Sequence, residues 1–191
     1  MSAYTLWWFA LGRLSSFDTM PETTLAIFNG DDFNSALSDL SSSSIVSYTS
    51  TTSSKKAITL IHFRDQDCRC RLINDEHFNR IVEKYSPQGI NIITVNKHTL
   101  PQNSPLQYIP SSPAAAIVDT QGKLAYFGPY SLNALCNQED GFVETTLNTL
   151  LAEQAVENIH TMGEGCFCPW RLQTHVQIQI RNHPILGKSY V

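Results

Sequence analysis

The chain passes from an apolar run to a pair of cysteines between residues 57 and 70. Ala57-Ile58-Thr59-Leu60-Ile61-His62-Phe63 is followed, after four residues, by Cys68-Arg69-Cys70. A short continuous apolar run is typical of a strand buried on both faces. Apolar residues at helical spacing follow the cysteines, so the pattern predicts two cysteines at the N-terminus of a helix. The partial positive charge of a helix N-terminus stabilises a thiolate, and this favours a reactive thiol site.

The remaining elements are predicted from periodicity and from turn signals. We expect strands at 24–28, 57–63, 90–95, 114–119 and 124–127, a minor strand within 45–48, and helices beginning at Asp31 and spanning 72–85 and 142–156. The strand at 90–95 should lie parallel to the strand at 57–63, because a helical crossover joins them. The turn Thr120-Gln121-Gly122-Lys123 predicts a hairpin. The expected fold is α/β, with a central mixed β-sheet flanked by helices.

We predict one main domain with an extension at each end. The domain covers residues 24–157 and contains a Ser/Thr-rich insertion at 41–56, which reads as an exposed loop. Residues 158–191 form a cysteine-bearing C-terminal tail. Residues 1–16 form an apolar segment that is shorter than the roughly 20 residues a spanning helix needs. This segment is interpreted as a short or truncated membrane anchor, or as a helix packed on the domain.

Composition limits the function classes. The 191 residues are 42% hydrophobic and 16% charged, which is typical of a globular protein. The net charge of -4, with scattered Lys and Arg, argues against nucleic-acid binding. The five cysteines form two close pairs, Cys68 with Cys70 and Cys166 with Cys168, plus Cys136. This arrangement suits redox chemistry or metal binding better than a small-domain disulfide scaffold.

Three motifs carry a resemblance to known proteins. They are the run at 63–70 that ends in Cys68-Arg69-Cys70, Gly128-Pro129-Tyr130-Ser131 with Cys136, and Gly165-Cys166-Phe167-Cys168-Pro169-Trp170. With the element order, they resemble the thioredoxin-like superfamily and a largely uncharacterised family of bacterial thioredoxin-fold proteins. Members of that family tend to carry an N-terminal membrane helix, which here would be shortened. The resemblance implies a thioredoxin-like fold over roughly residues 24–157.

The resemblance also implies roles for individual residues. Cys68 matches the nucleophilic cysteine, Pro113 matches the cis-proline that faces it, and His62 stands where thioredoxins bury an Asp. Two positions depart from the pattern, since Cys70 falls one residue early and Asp67 replaces the usual Trp. Both departures argue against ordinary thioredoxin activity.

The chemistry of Cys68 does not decide which cysteine is its disulfide partner. Arg69, Arg71 and the helix N-terminus should lower the pKa of Cys68, while nearby acidic residues should raise it. A Cys68–Cys70 disulfide would close a small ring that meets disulfide geometry poorly, and strain makes such a bond more oxidising. The alternative is that Cys68 exchanges with Cys136, Cys166 or Cys168 as a resolving or relay thiol.

Histidines and the tail cysteines each have more than one interpretation. His62 would move protons during exchange, or would hydrogen-bond within the core. The other histidines, including His77, are interpreted as surface residues. Cys166 and Cys168 would form a second redox pair, or would join Cys68 and Cys70 in a four-thiolate site for zinc or Cu(I). They would otherwise be structural, with Trp170 packing the tail onto the domain.

The preferred hypothesis is a thiol-disulfide oxidoreductase that acts on protein thiols or disulfides through Cys68 and Cys70. Pro113 would position the substrate backbone, and no cofactor is expected. The expected location is the cell envelope, membrane-associated and facing the periplasm, with the cytoplasm as the alternative. Two other functions stay open: a metal-thiolate protein and a non-catalytic interaction module on the same fold.

Overall fold

The computed structural model describes residues 15–17, 47–48, 57–100, 104–130, 141–156 and 163–170. The strand expected at 24–28, the helix expected from Asp31, Cys136 and most of the apolar N-terminal segment lie outside the described residues. In chain order the described strands and α-helices are β1 (Ser15–Phe17), β2 (Ser47–Tyr48), β3 (Thr59–Arg64), α1 (Arg71–Tyr85), β4 (Asn91–Asn96), β5 (Ser111–Ser112), β6 (Ala114–Val118), β7 (Leu124–Gly128), α2 (Phe142–Leu151), β8 (Gly163–Gly165) and β9 (Cys168–Pro169).

Within the described residues, the main sheet has the order β2-β4-β3-β6-β7. Strands β3 and β4 are parallel and joined through α1, while β6 pairs antiparallel with both β3 and β7. Strand β2 adds an antiparallel pair at the β4 edge. The parallel pair, the hairpin and the mixed central sheet are therefore confirmed.

The central strand is buried on both faces because its side chains alternate between two apolar layers. Ile61 and Phe63 face one layer with Phe127 and Trp170. Leu60 faces the other layer, in which Phe78 and Ile81 of α1 are among the packed residues. Burying a side chain of this size contributes about 1.5–3 kcal/mol. These two layers fix β3, and therefore fix where the chain emerges toward Cys68.

Helix boundaries differ slightly from the expected ones. Helix α1 begins at Arg71 with Cys70 as its N-cap residue, and it ends at Tyr85. Helix α2 ends at Leu151, five residues before the expected end at Val156. Glu153 has a φ of 58°, a left-handed conformation that an α-helix does not accommodate. The apolar spacing continues past this turn, so the periodicity alone overestimated the helix.

The C-terminal segment at 163–170 is held at both ends by strand pairing. Strand β8 pairs antiparallel with β1, and β9 pairs antiparallel with β5. Trp170, directly after β9, is 1% exposed and belongs to the core layer of Phe63. The described part of the tail is therefore integrated into the fold. Among the described helices, none has the length and apolar character needed to cross a membrane.

Candidate thiol site

Two disulfides join the segment at 68–70 to the tail. Cys68 is bonded to Cys168 and Cys70 to Cys166, with Cα–Cα separations of 5.7 and 5.4 Å. A Cys68–Cys70 bond is not formed in this structure, which corrects the expected pairing of the first two cysteines. The two Cys-x-Cys segments run antiparallel, so each cysteine meets a partner across the gap without closing a small ring. Of the two alternatives left open for Cys68, exchange with a tail cysteine is the one the bonds match.

The cysteines of the first pair are placed by a turn between β3 and α1. The amide of Cys68 donates to the carbonyl of Asp65 over 3.2 Å, and the amide of Arg71 donates to the carbonyl of Cys68 over 3.1 Å. The carboxylate of Asp65 accepts from the amide of Asp67 over 3.0 Å. Cys70 is thus the N-cap residue of α1, and Cys68 lies two residues before it, near the backbone amides of the helix N-terminus.

Pro113 lies beside this turn. The Ser112–Pro113 peptide bond is cis, as the sequence predicted. Ser112 pairs with Cys168 across the β5–β9 ladder, and its carbonyl oxygen is 3.8 Å from Cys68 Sγ. The segment that precedes Pro113 therefore aligns the backbone of Cys168 with Cys68.

Aromatic side chains anchor the tail on either side of Cys168. Trp170 donates from Nε1 to the carbonyl of Leu106 over 2.9 Å, and its ring meets the ring of Phe63 edge-on, 5.9 Å between centroids. Phe167 packs edge-on against Phe17, 5.3 Å between centroids. These contacts hold the tail through groups other than sulfur.

Three of the sulfurs form one tight group. The Sγ atoms of Cys68, Cys70 and Cys168 lie within 4.8 Å of one another, and Cys166 is not a member of that group. Cys70 Sγ is 4.0 Å from Cys168 Sγ, although these two residues belong to different disulfides. Zinc and Cu(I) bind thiolates, so this donor set fits a soft metal only after the disulfides are reduced.

A charged cluster at the sheet edge supports the turn. Lys97 Nζ is 2.9 Å from Asp65 Oδ2 and donates to the carbonyl of Pro169 over 3.2 Å. Burial acts to raise the pKa of Asp65, but hydrogen bonds from Lys97 and Asp67 and the charges of Lys97 and His98 together hold it below its usual value. Lys97 was missed from the sequence. It directly follows β4, and the carboxyl ends of parallel strands meet at one edge of a sheet, which was the available signal.

A narrow cleft opens beside Cys68 and is lined by polar side chains, including Arg64, Asn74 and Ser112. Asn74 is 1% exposed, and both polar atoms of its amide lack a hydrogen-bond partner among the described residues. Ser112 Oγ and Arg64 Nε are also buried without such a partner there. Buried polar groups are normally satisfied, so this concentration next to a disulfide sulfur makes the cleft a candidate site. Sequence reasoning missed Asn74.

His62 lies in the core. Its Nδ1 is 2.5 Å from the hydroxyl of Tyr130, and its ring stacks on Phe78, 4.0 Å between centroids. Burial, followed by the positive charge of Arg64, lowers the pKa of His62 to about 3, so the ring is neutral at physiological pH. These contacts match the core interpretation of His62, and its role in moving protons stays a prediction.

The surface interpretation of His77 is wrong. His77 is buried, and its Nε2 is paired with Glu144 Oε1 of α2. Asn74, His77, Phe78, Ile81 and Tyr85 are all buried and recur at helical spacing, so they share the inner face of α1. That periodicity, which includes the polar residues, would have indicated the burial of His77.

These features define a mixed α/β protein with two adjacent disulfides at the N-terminus of a helix. The chain belongs to the family described as Domain of unknown function (DUF6436), whose model matches residues 38–170.

No curated protein matches the chain. An uncharacterised conserved protein from Geobacillus kaustophilus is similar at 18% identity, over 63% of this chain and 79% of that one, with a TM-score of 0.47. A hypothetical protein from Sinorhizobium meliloti 1021 is similar at 13% identity, over 63% and 82%, with a TM-score of 0.48.

Proposed function

We propose that this domain has a thioredoxin-like fold and catalyses thiol-disulfide exchange through its four-cysteine cluster, with Cys68 as the nucleophile. The observation that carries the proposal is the placement of the Cys68–Cys168 disulfide at the mouth of α1, between Ser112 of the Pro113 segment and a second disulfide. The main domain would be residues 24–157. The element order and the cis bond at Pro113 support that fold.

The exchange step moves two electrons. A thiolate of a substrate dithiol attacks Cys168 Sγ, a mixed disulfide forms, and Cys68 leaves as a thiolate. The second substrate thiolate then attacks the substrate sulfur of the mixed disulfide, and Cys168 leaves. The substrate gains a disulfide, and Cys68 and Cys168 hold the two electrons, with two protons taken up as the thiolates neutralise. In the reverse sequence the Cys168 thiolate attacks a substrate disulfide, and the Cys68 thiolate then attacks Cys168 Sγ and releases the reduced substrate.

Local structure makes Cys68 the better leaving group and nucleophile. Amides at the N-terminus of α1 stabilise negative charge at this position. The Asn74 amide lines the cleft next to Cys68 and supplies an N–H donor that is not otherwise used by the described residues. Cys68 itself is only 5% exposed, whereas Cys166 and Cys168 are half-buried. Attack from outside is therefore expected at a tail cysteine.

The test is a single-turnover reaction between the oxidised protein and a reduced dithiol peptide. We expect the peptide disulfide and free protein thiols to appear at the same rate. A Cys68→Ser variant cannot form the Cys68–Cys168 disulfide, so it should lose the part of the reaction that this bond carries out. Lys123→Met, which changes an exposed turn residue remote from the cysteines, should react as the unmodified protein does. The proposal fails if the unmodified protein yields no peptide disulfide.

Metal binding is a second candidate, because three cysteine sulfurs lie within 4.8 Å of one another. Reduction would supply thiolates from Cys68, Cys70, Cys166 and Cys168. This candidate predicts that the reduced protein binds one zinc or Cu(I) ion tightly, and that Cys70→Ser weakens binding. This candidate would be excluded if the reduced protein bound these ions only weakly and no single serine substitution changed that affinity.

We also propose a location in the cell envelope, facing an oxidising compartment, with protein thiols or disulfides as partners. The two disulfides support this proposal, because such bonds persist mainly outside the reducing cytosol. Labelling intact cells with a membrane-impermeant alkylator after mild reduction tests it. Labelled cysteines are expected, and labelling only after cell lysis would contradict the proposal.

A further inference from the structure

The two disulfides lie close enough to react with each other. Cys70 Sγ is 4.0 Å from Cys168 Sγ, and each of these atoms is bonded to a different partner. Disulfide exchange requires a thiolate that contacts one sulfur of a disulfide. If the Cys70–Cys166 bond is opened, the released Cys70 sulfur is therefore already beside the remaining disulfide.

We propose that Cys70 and Cys168 form a transient third disulfide that passes reducing equivalents from the Cys70–Cys166 pair to Cys68. This inference rests on the proposed exchange function. The Cys70 thiolate attacks Cys168 Sγ, the Cys70–Cys168 bond forms, the Cys68–Cys168 bond breaks, and Cys68 leaves as a thiolate. One disulfide is lost and one is gained, so no external oxidant or reductant takes part. The reduced pair changes from Cys70 and Cys166 to Cys68 and Cys166.

Exposure gives the relay a direction. Cys70 is 6% exposed and Cys68 is 5% exposed, whereas Cys166 and Cys168 of the tail are half-buried and therefore easier for an external thiol to reach. A reductant that attacks Cys166 frees Cys70, and the relay then frees Cys68 next to Pro113. Electrons would enter at the tail and leave at the buried cysteine, without direct access of the reductant to Cys68.

The relay needs the tail to stay in place while bonds change. Strand β8 is paired with β1 on one side of the cysteines, and Trp170 is buried on the other side. Neither contact involves sulfur. The Cys70–Cys168 distance should therefore persist when one disulfide is open.

The first experiment maps disulfides after treating the oxidised protein with one equivalent of a phosphine reductant. Free thiols are blocked at low pH, and the protein is digested with trypsin and chymotrypsin. Cleavage after Arg69 separates Cys68 from Cys70, and cleavage after Phe167 separates Cys166 from Cys168. Peptides linked through Cys70 and Cys168 are expected, together with blocked Cys68 and Cys166. The relay would be overturned if only the Cys68–Cys168 and Cys70–Cys166 linkages were detected at every extent of reduction.

The second experiment uses paired serine variants. Of the four clustered cysteines, Cys68→Ser/Cys166→Ser leaves Cys70 and Cys168, and these two should form a disulfide on mild oxidation; Cys136 is present in both variants. The matched control Cys70→Ser/Cys168→Ser leaves Cys68, which belongs to the close sulfur group, and Cys166, which does not, and this pair should oxidise at least 10-fold more slowly. Equal rates would overturn the relay.

The relay and the exchange function fail in different ways. Reversible exchange with a dithiol peptide but no Cys70–Cys168 linkage refutes the relay alone. A Cys70–Cys168 linkage without any peptide oxidation refutes the exchange function and leaves the internal reaction standing.

Discussion

Lys97 and Asp65 form an ion pair with 2.9 Å between Nζ and Oδ2, and each residue directly follows one of two neighbouring parallel strands. Both side chains are largely buried, and Lys97 also donates to the carbonyl of Pro169 in the tail. Lys97→Met leaves a buried carboxylate without its cation. We expect the free energy of unfolding to fall by about 1–3 kcal/mol near neutral pH, as measured by denaturant titration. The exposed Lys123→Met should change it by less than about 0.5 kcal/mol.

The same pair predicts a pH dependence with a definite sign. The pKa of Asp65 is lowered in the folded protein, so its ionisation stabilises the fold above the unfolded pKa of about 4. That contribution is lost as the pH falls through the lower, folded pKa. The stability difference between the unmodified protein and Lys97→Met should therefore be full near neutral pH and should shrink below about pH 4. A difference that stays constant into acid would contradict this account of Asp65.

Asn74 should separate stability from reactivity. Its buried amide has no hydrogen-bond partner among the described residues, so Asn74→Leu removes an unsatisfied polar group at similar volume. We expect unfolding free energy to be unchanged or raised by about 1 kcal/mol. We propose that the Asn74 amide donates to the Cys68 thiolate during exchange, so its removal should slow exchange with a dithiol peptide about 10-fold, which corresponds to about 1.4 kcal/mol. Unchanged kinetics would show that Asn74 takes no part in exchange.

Trp170 should control how fast the disulfides re-form. Trp170→Ala removes a fully buried indole and is expected to destabilise the oxidised protein by about 3–5 kcal/mol. The reduced variant should also reoxidise more slowly, because the tail cysteines lose their anchor. Trp170→Phe keeps most of the packing and loses only the hydrogen bond to Leu106, so it should cost about 1–2 kcal/mol and reoxidise almost normally. Equal reoxidation rates for both variants would argue against the anchoring role.

The pair of His77 and Glu144 should support the packing of α1 against α2. Glu144→Leu removes the carboxylate that pairs with His77 Nε2, and we expect a loss of about 1–3 kcal/mol in unfolding free energy. Glu144→Gln can still hydrogen-bond to His77 and should cost less than the Leu variant. Denaturant titration of the two variants distinguishes this role from packing alone. If packing alone mattered, the Leu variant would lose less unfolding free energy than the Gln variant.

Local sequence patterns were sufficient to predict the strands and helices that are neighbours in the sequence. The apolar run that ends at Phe63, the crossover helix and the hairpin follow from residue type and spacing, and the cis bond at Pro113 is what the resemblance implied. The end of α2 did not, because the left-handed turn at Glu153 leaves no apolar signal.

Long-range pairings in the site could not be predicted in the same way. Cys68 lies 100 residues from Cys168 in sequence, and only the antiparallel docking of the tail decides which cysteines meet. The burial of His77 and the position of Lys97 likewise depend on partners from other elements, Glu144 and Asp65. Sequence therefore indicated the candidate thiol residues, and tertiary packing determined their partners.

The central claim is that the paired disulfides exchange with thiols reversibly. The most direct test is to equilibrate the protein with a graded series of dithiol and disulfide buffers, quench it in acid, and quantify the Cys68–Cys168 and Cys70–Cys166 linkages by mass spectrometry. We predict that both open and close reversibly at potentials between about -270 and -120 mV, the range of catalytic disulfides. Linkages that resist reduction to below about -300 mV, or that fail to re-form, would identify structural bonds and contradict the account.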